Sequence, residues 1–283
     1  MRFITIGLSA LLGMIAVAAC NEIEMGGKKA TDLFPDEQVA ALAQAAADGD
    51  IAAIDRAVAD GVDVNTVGID NATPLLWAIF AHNKAGFKQL LEHGADPYYQ
   101  PDDFYSVVQL AAGADDPDFL RTLLDHGLDP NRPTGSEQSP PIFTAIMQHR
   151  LPQFEMLLAY CYDLNWADDV GRTAAVDAAS IGEMRMALRF LEEGMTHNLP
   201  RLSLFADGRV GKVDGQQEAQ KKLIAMLAER GFEILEDPTE IKNSCKTHPR
   251  QVRPLMPRAA ASTRRSNTFT ACSSITQSEF RSS

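Results

Sequence analysis

The stretch Leu90-Leu91-Glu92-His93-Gly94-Ala95-Asp96-Pro97 ends a helix three residues after a leucine pair and leaves it by a sharp turn. Glycine permits the left-handed conformation that closes a helix, and Asp followed by Pro favours a turn. The same end recurs. Gly61 lies 33 residues before Gly94 and Gly127 lies 33 after it; a step of 34 reaches Cys161, and a further 33 reaches Gly194. Two residues beyond the first four of these marks stand Asp63, Asp96, Asp129 and Asp163. Four residues beyond all five stand Asn65, Tyr98, Asn131, Asn165 and Asn198. Sixteen residues before each is an alanine: Ala45, Ala78, Ala111, Ala145 and Ala178. Self-similarity at a fixed period of this length is the signature of a repeat architecture.

Each unit reads as two helices and a turn. The first helix carries the small alanine, where helices pack closely, and the second carries paired apolar residues such as Leu123-Leu124 or Leu157-Leu158. The Asp and Asn after the mark favour turns through bonds to their own backbone. Thr73-Pro74-Leu75-Leu76-Trp77-Ala78, followed by Gly94-Ala95-Asp96, resembles the ankyrin repeat, whose pattern is TPLHxAA and then LLxxGAdxN. Thr173 to Ala178 and Ser106 to Ala111 match less closely, and Pro140-Pro141 replaces Thr-Pro in the fourth unit. The histidine of the pattern is replaced by Leu76, Gln109, Phe143 and Val176, and Cys161 stands where a glycine belongs.

The resemblance implies an all-α, ankyrin-repeat solenoid of about five repeats with a C-terminal capping helix, over residues 36–235. The repeats are placed at 36–68, 69–101, 102–135, 136–169 and 170–199, with the cap at 200–235. Alanine-rich Glu37 to Ala47 suits an N-terminal cap that shields one side of the stack. Gln216 to Arg230 is the closing amphipathic helix, and Leu199 to Gly215, lacking a clean period, is expected as a loop insertion.

The ends are different in kind. Residues 1–19 start with Arg2 and continue as an apolar run too short for a comfortable membrane span, which fits a secretory signal. Val17-Ala18-Ala19-Cys20 resembles a bacterial lipobox, which predicts lipidation of Cys20 and a tether over 20–35. Asn21, in place of an aspartate, favours the outer membrane of a Gram-negative cell. Residues 236–283 form a tail rich in Ser, Thr and Arg, too poor in large apolar side chains to offset the entropy of ordering. Disorder is the expectation there, with a basic nucleic-acid or membrane patch and a shifted reading frame as alternatives. From residue 238 the tail carries eight Lys or Arg against Glu240 and Glu279, about +6, so a net charge of −12 leaves about −18 for the remainder. An acidic body disfavours nucleic acid and suits a partner with a basic face. Three cysteines follow Cys20; export would allow Cys245 to pair with Cys272, although the odd number and lack of a CxxC argue against a structural bridge.

No catalytic constellation emerges. None of the six histidines belongs to an HExxH, and no GxSxG frames a nucleophile. His93 and His126 share a register just before the glycine, where a cation suits a helix C-terminus. Gly208 to Val213 lacks the first glycine and the hydroxyl of a phosphate loop, and the pairs Asp102-Asp103 and Asp115-Asp116 lack the spacing of a calcium loop. The reading is therefore non-enzymatic, with no metal and no cofactor. What remains is surface.

By resemblance to ankyrin modules, hairpin tips and the exposed side of each first helix make the contacts. These positions are Ile69, Asp70, Ala72 and Phe80 in the second repeat, and Gln100, Asp102, Asp103 and Tyr105 in the third. The fourth and fifth supply Glu137, Met147, Gln148, Asp169 and Arg172. Tyr98, Tyr99 and Trp166 add aromatic side chains on hairpins, suited either to a partner or to packing on the next repeat. A lipobox followed by five degenerate ankyrin repeats resembles lipoproteins that act as immunity proteins for type VI secretion phospholipase effectors. That implies a lipid-anchored periplasmic module that binds and blocks a lipase. The alternative is an accessory lipoprotein supporting another envelope protein, such as an oxidative-stress enzyme.

Overall fold

The computed structural model describes residues 28–100, 105–135, 138–208, 210 and 213–232. Signal segment 1–19, Cys20, Asp102, Asp103, Glu137, Cys245, Cys272 and tail 236–283 lie outside the described residues. Among those described, regular structure is all helical apart from isolated bridge positions, among them an antiparallel bridge between Thr134 and Ser139. The fold is an ankyrin-repeat helical solenoid. It divides at Gln89/Leu90 into two compact units.

In the first unit, α1 (Ala30–Leu33) packs on α2 (Glu37–Asp48), and α2 packs against α3 (Ile51–Ala59) and α4 (Pro74–Phe80). The alanines of α2 make this possible: Ala40, Ala43 and Ala47 share a buried cluster with Leu33, Phe34 and Trp77. Thr73 starts α4 by accepting the Leu76 N–H at its hydroxyl, 3.1 Å, with Pro74 at the first helical position. α5 (Lys84–Glu92) crosses the boundary between the units. It lies so close to α2 that a β-carbon at Gly86 would come within 1.9 Å of the Ala46 carbonyl oxygen.

The second unit continues with helix pairs α6 (Val107–Gly113) and α7 (Asp118–Asp125), α8 (Pro141–Met147) and α9 (Leu151–Ala159), and α10 (Ala174–Ser180) and α11 (Met184–Glu192). The first helices α6, α8 and α10 lie side by side. Each contributes its register alanine, Ala111, Ala145 or Ala178, with no exposed surface. Small residues here let neighbouring helices approach without a void.

One expectation is corrected. Residues 199–206 are not a loop but helix α12 (Leu199–Ala206), followed by α13 (Gln216–Glu229). Together they form a sixth helix pair, α12 lying beside α10 and α13 beside α11. The helix begins at Asn198, held at φ 53°, with Pro200 in its first turn. Leu199, Leu202 and Ala206 are buried, an apolar stripe two turns long. A stripe that short, in a segment containing proline and no repeat motif, gives little periodicity to read.

The turn marks behave as glycine positions even where glycine is missing. Gly61, Gly94, Gly127 and Gly194 have positive φ, and Cys161 adopts the same left-handed conformation at φ 68°. The β-carbon is tolerated at this place: one built at Gly94 or Gly127 meets nothing within 4 Å. Cys161 is also disulfide-bonded, an engagement the sequence reading did not anticipate. Beyond the mark, Asp63, Asp96, Asp129 and Asp163 each accept the N–H two residues on at 2.9 Å.

The two kinds of glycine separate experimentally. In an ordinary helix interior Gly→Ala stabilises by roughly 0.5–1 kcal/mol. At Gly86 the sign reverses, and Gly86→Ala is expected to cost about 1–3 kcal/mol because backbone must move. Urea denaturation followed by helical circular dichroism reads this directly. A Gly86→Ala protein as stable as the parent would show that α5 does not approach α2 so closely.

Candidate functional site

The fold presents exposed side chains on hairpins and at the ends of first helices. In the second unit the hairpin after α7 closes through Thr134 and Ser139, with the Gln138 N–H donating to the Gly135 carbonyl at 3.1 Å. Two glutamines seat it. Gln100 Oε1 accepts the Gly135 N–H at 2.7 Å. Gln109 fills the space beside Gly135, where a β-carbon would lie 2.2 Å from Gln109 Nε2. Gln109 also completes a capping box with Ser106 at the start of α6. It occupies the ankyrin histidine position.

Phe143 occupies the same position one repeat later. Its buried ring meets Trp166 edge-on, with centroids 5.2 Å apart. The Arg172 guanidinium covers the Phe143 ring at 4.9 Å and pairs with Asp177 at 2.7 Å. Asp168 draws the hairpin in by accepting from Val170 N at 3.0 Å and Arg172 N at 2.7 Å. A second stack lies at Tyr98: the Arg132 guanidinium sits 3.7 Å from its ring centroid, and its hydroxyl accepts the Asp129 N–H at 3.2 Å. Burial raises the Tyr98 phenol above its ordinary range, opposed by the Asp129 amide and the Arg132 charge, so the group stays neutral at physiological pH.

The expected contact residues therefore fall into several classes. Tyr105, Met147 and Val170 project from the second unit with 50–75% of their surface exposed. Of these, Val170 was not anticipated, since its neighbours Asp169 and Arg172 drew attention by charge. Gln148 and Asp169 are also exposed. Tyr98, Tyr99, Gln100, Trp166 and Arg172 are half-buried, and four of these make the contacts just described. In the first unit Ile69, Asp70 and Phe80 are exposed. Ala72 is a correction: it is fully buried in the cluster containing Phe34 and Trp77, because the chain must turn inward there to start α4. Phe143 was the residue missed as an organiser of the site. Its signal was a bulky aromatic where the family places histidine.

Among the described residues, no group of three His, Cys, Asp or Glu side chains is placed to hold a metal ion. His126 acts as the helix-end residue its register implied, its Nδ1 lying 2.7 Å from the Thr122 carbonyl oxygen at the end of α7. The arrangement suits recognition of a macromolecular surface: rigid aromatic and arginine side chains on hairpins, flanked by exposed apolar ones.

No family model matches the chain. It is similar to "Ankyrin repeat and SOCS box protein 6" of Homo sapiens, 35% identical over 91 residues that cover 31% of this chain and 22% of that protein. The Mus musculus protein of the same description is 34% identical over the same shares. The chain thus spans about a fifth of the length of these relatives, 22%. It is also similar to "Protein PhlB" of Serratia liquefaciens, 30% identical over 176 residues, covering 61% of this chain and 76% of that protein. The ankyrin likeness agrees with the geometry in making the chain a protein-interaction module.

The stack on Phe143 has a spectroscopic consequence. Arg172→Ala removes the cation from the ring and from Asp177, a loss of about 0.5–1 kcal/mol in the cation–π contact alone. Trp166 emission should shift to the red, since the chain's second tryptophan, Trp77, is fully buried. Unchanged emission would mean that Arg172 does not close this cluster in solution.

Proposed function

The chain belongs to the family of Protein PhlB, and on that premise we propose that it is an envelope-anchored immunity protein that binds and neutralises a phospholipase effector of type VI secretion. The observation that carries the reading is the apolar surface left exposed at projecting positions of the second unit, Tyr105, Met147 and Val170. A soluble module gains nothing for its own stability from such residues there, whereas a bound partner would cover them. Phe143, Trp166 and Arg172 hold the neighbouring hairpin in shape before binding, which limits the entropy lost on association.

The chemistry of the proposed partner follows from charge and location. About −18 on the body before the tail favours a basic effector face and speeds encounter with it. Lipidation at Cys20 would hold the protein on the periplasmic side of the outer membrane, where a secreted phospholipase meets its substrate. Inhibition would then be stoichiometric, by blocking the effector's active-site entrance or its approach to lipid. The module acts without catalysis or a cofactor. Among the described residues no helix is long and apolar enough to cross a membrane.

Periplasmic co-expression with a phospholipase encoded beside this protein tests the proposal. The parent chain should restore growth and co-purify with the lipase. Met147→Asp combined with Tyr105→Asp should weaken the complex by at least tenfold, the scale of one lost hot-spot contact. A complex that leaves lipase activity intact would favour an accessory role. Absence of both complex and rescue would overturn the reading.

A further inference from the structure

The first hairpin exposes an apolar tip of its own. Val67 and Ile69 are 44% and 46% exposed. The turn between them and α4 uses two consecutive residues in the left-handed region, Asp70 at φ 56° and Asn71 at φ 60°. Asp and Asn tolerate that conformation better than other side chains. The turn is closed by the Gly68 N–H donating to the Ala72 carbonyl at 2.8 Å, which leaves Ile69 on the outside.

The N-terminal segment is locked onto the same hairpin. Leu33 and Phe34 are buried with Ala72 and Trp77. A β-carbon at Gly68 would lie 2.4 Å from the Leu33 carbonyl oxygen and 2.8 Å from the Phe34 ring, so the two backbones touch here. Lys28 pairs with Asp70, the carboxylate next to Ile69 in sequence. Lys28, the first described residue, therefore lies at this hairpin. Only eight steps of chain separate Lys28 from Cys20. Fully extended, that is at most about 28 Å.

We propose that the first hairpin is a lipid-facing surface: with Cys20 acylated, Val67 and Ile69 rest in the headgroup layer of the anchoring membrane. This rests on the lipoprotein reading above. Two partly exposed apolar side chains would not hold a protein on a bilayer alone. A tether this short makes their contact intramolecular, at a high effective concentration, so a small gain suffices to choose an orientation. Pairing with Lys28 spares the tip an unpaired carboxylate at the lipid surface. Ile69 is thereby assigned to lipid and not to the effector.

The test uses the full chain, purified from the envelope of its host and reconstituted in phosphatidylethanolamine–phosphatidylglycerol vesicles with brominated acyl chains. The mass of the mature N-terminal peptide reports acylation independently. Ile69→Trp is compared with Phe80→Trp, which is equally exposed at 46% but lies at the far end of α4, about 10 Å along the helix from the hairpin. Val67→Trp serves as a second probe of the tip should Ile69→Trp fail to fold. Tip tryptophans should show blue-shifted emission and a larger fractional loss to brominated lipid than Phe80→Trp. Equal quenching at tip and far end, or none at either, in an acylated chain overturns the proposal. So does a tip probe that responds to added effector and not to lipid. An N-terminus without acyl chains fails the lipoprotein reading itself and removes this inference with it.

Discussion

In the second unit the side chains four residues beyond three of the turn marks, Tyr98, Asn131 and Asn165, fasten a repeat to its successor. Asn131 accepts the Asp163 N–H at 2.6 Å and donates to the Cys161 carbonyl at 3.1 Å. Asn165 accepts from the Thr196 and His197 amides at 2.9 and 2.8 Å. Tyr98 does the same work with a longer side chain, its hydroxyl reaching the Asp129 N–H. In each case the groups satisfied are backbone groups of the next turn, which helical hydrogen bonding leaves unpaired. The bonds are solvent-exposed and individually modest, about 1 kcal/mol. Their repetition fixes the spacing of successive turns, and the positions of the hairpins follow from it. A recognition surface built on those hairpins is only as well defined as this ladder.

Much of this was legible because the residues involved repeat. Gly94 and its equivalents announce the turns, and the Asp and Asn after them announce the bonds that shape the turns. Even Cys161 kept the register, since the mark requires a left-handed backbone and leaves room for a side chain. Legibility ended where the chain departs from its own period. Helix α12 lacks the motif and was expected as loop. Ala72 was placed on the surface by analogy, yet the segment around Leu33 and Phe34 folds back over it; that long-range contact leaves no local pattern. The pairing of Phe143 with Trp166 and Arg172 likewise joins residues more than twenty positions apart, so each was visible but their association was not.

The same distinction explains the site. Exposed apolar residues such as Val170 are hard to find from sequence because a valine is usually buried. Their meaning comes from the scaffold, which places them where neither neighbouring helix covers them. Stacked residues such as Tyr98 and Trp166 look like free contact groups in the sequence but spend much of their surface on their own neighbours. They contribute rigidity to their hairpins more than exposed contact area.

The last three helix pairs share a further link on the side away from the turn marks. Glu183, almost wholly buried, accepts from His149 Nδ1 at one carboxylate oxygen and from Gln216 Nε2 at the other, each at 2.6 Å. Gln216 in turn accepts the Arg185 N–H at 3.0 Å. His149 precedes α9, Glu183 precedes α11 and Gln216 opens α13, so a single carboxylate spans three successive pairs. Repeat arrays are usually described as chains in which each link feels only the adjacent one, and such chains fray from their free ends. Here, loosening the terminal pair takes a hydrogen-bond donor from a buried carboxyl group of the pair before it, a group tied in turn to the pair before that. The end of the array is thereby bound to its interior, and the C-terminal half should melt as a block and not one repeat at a time.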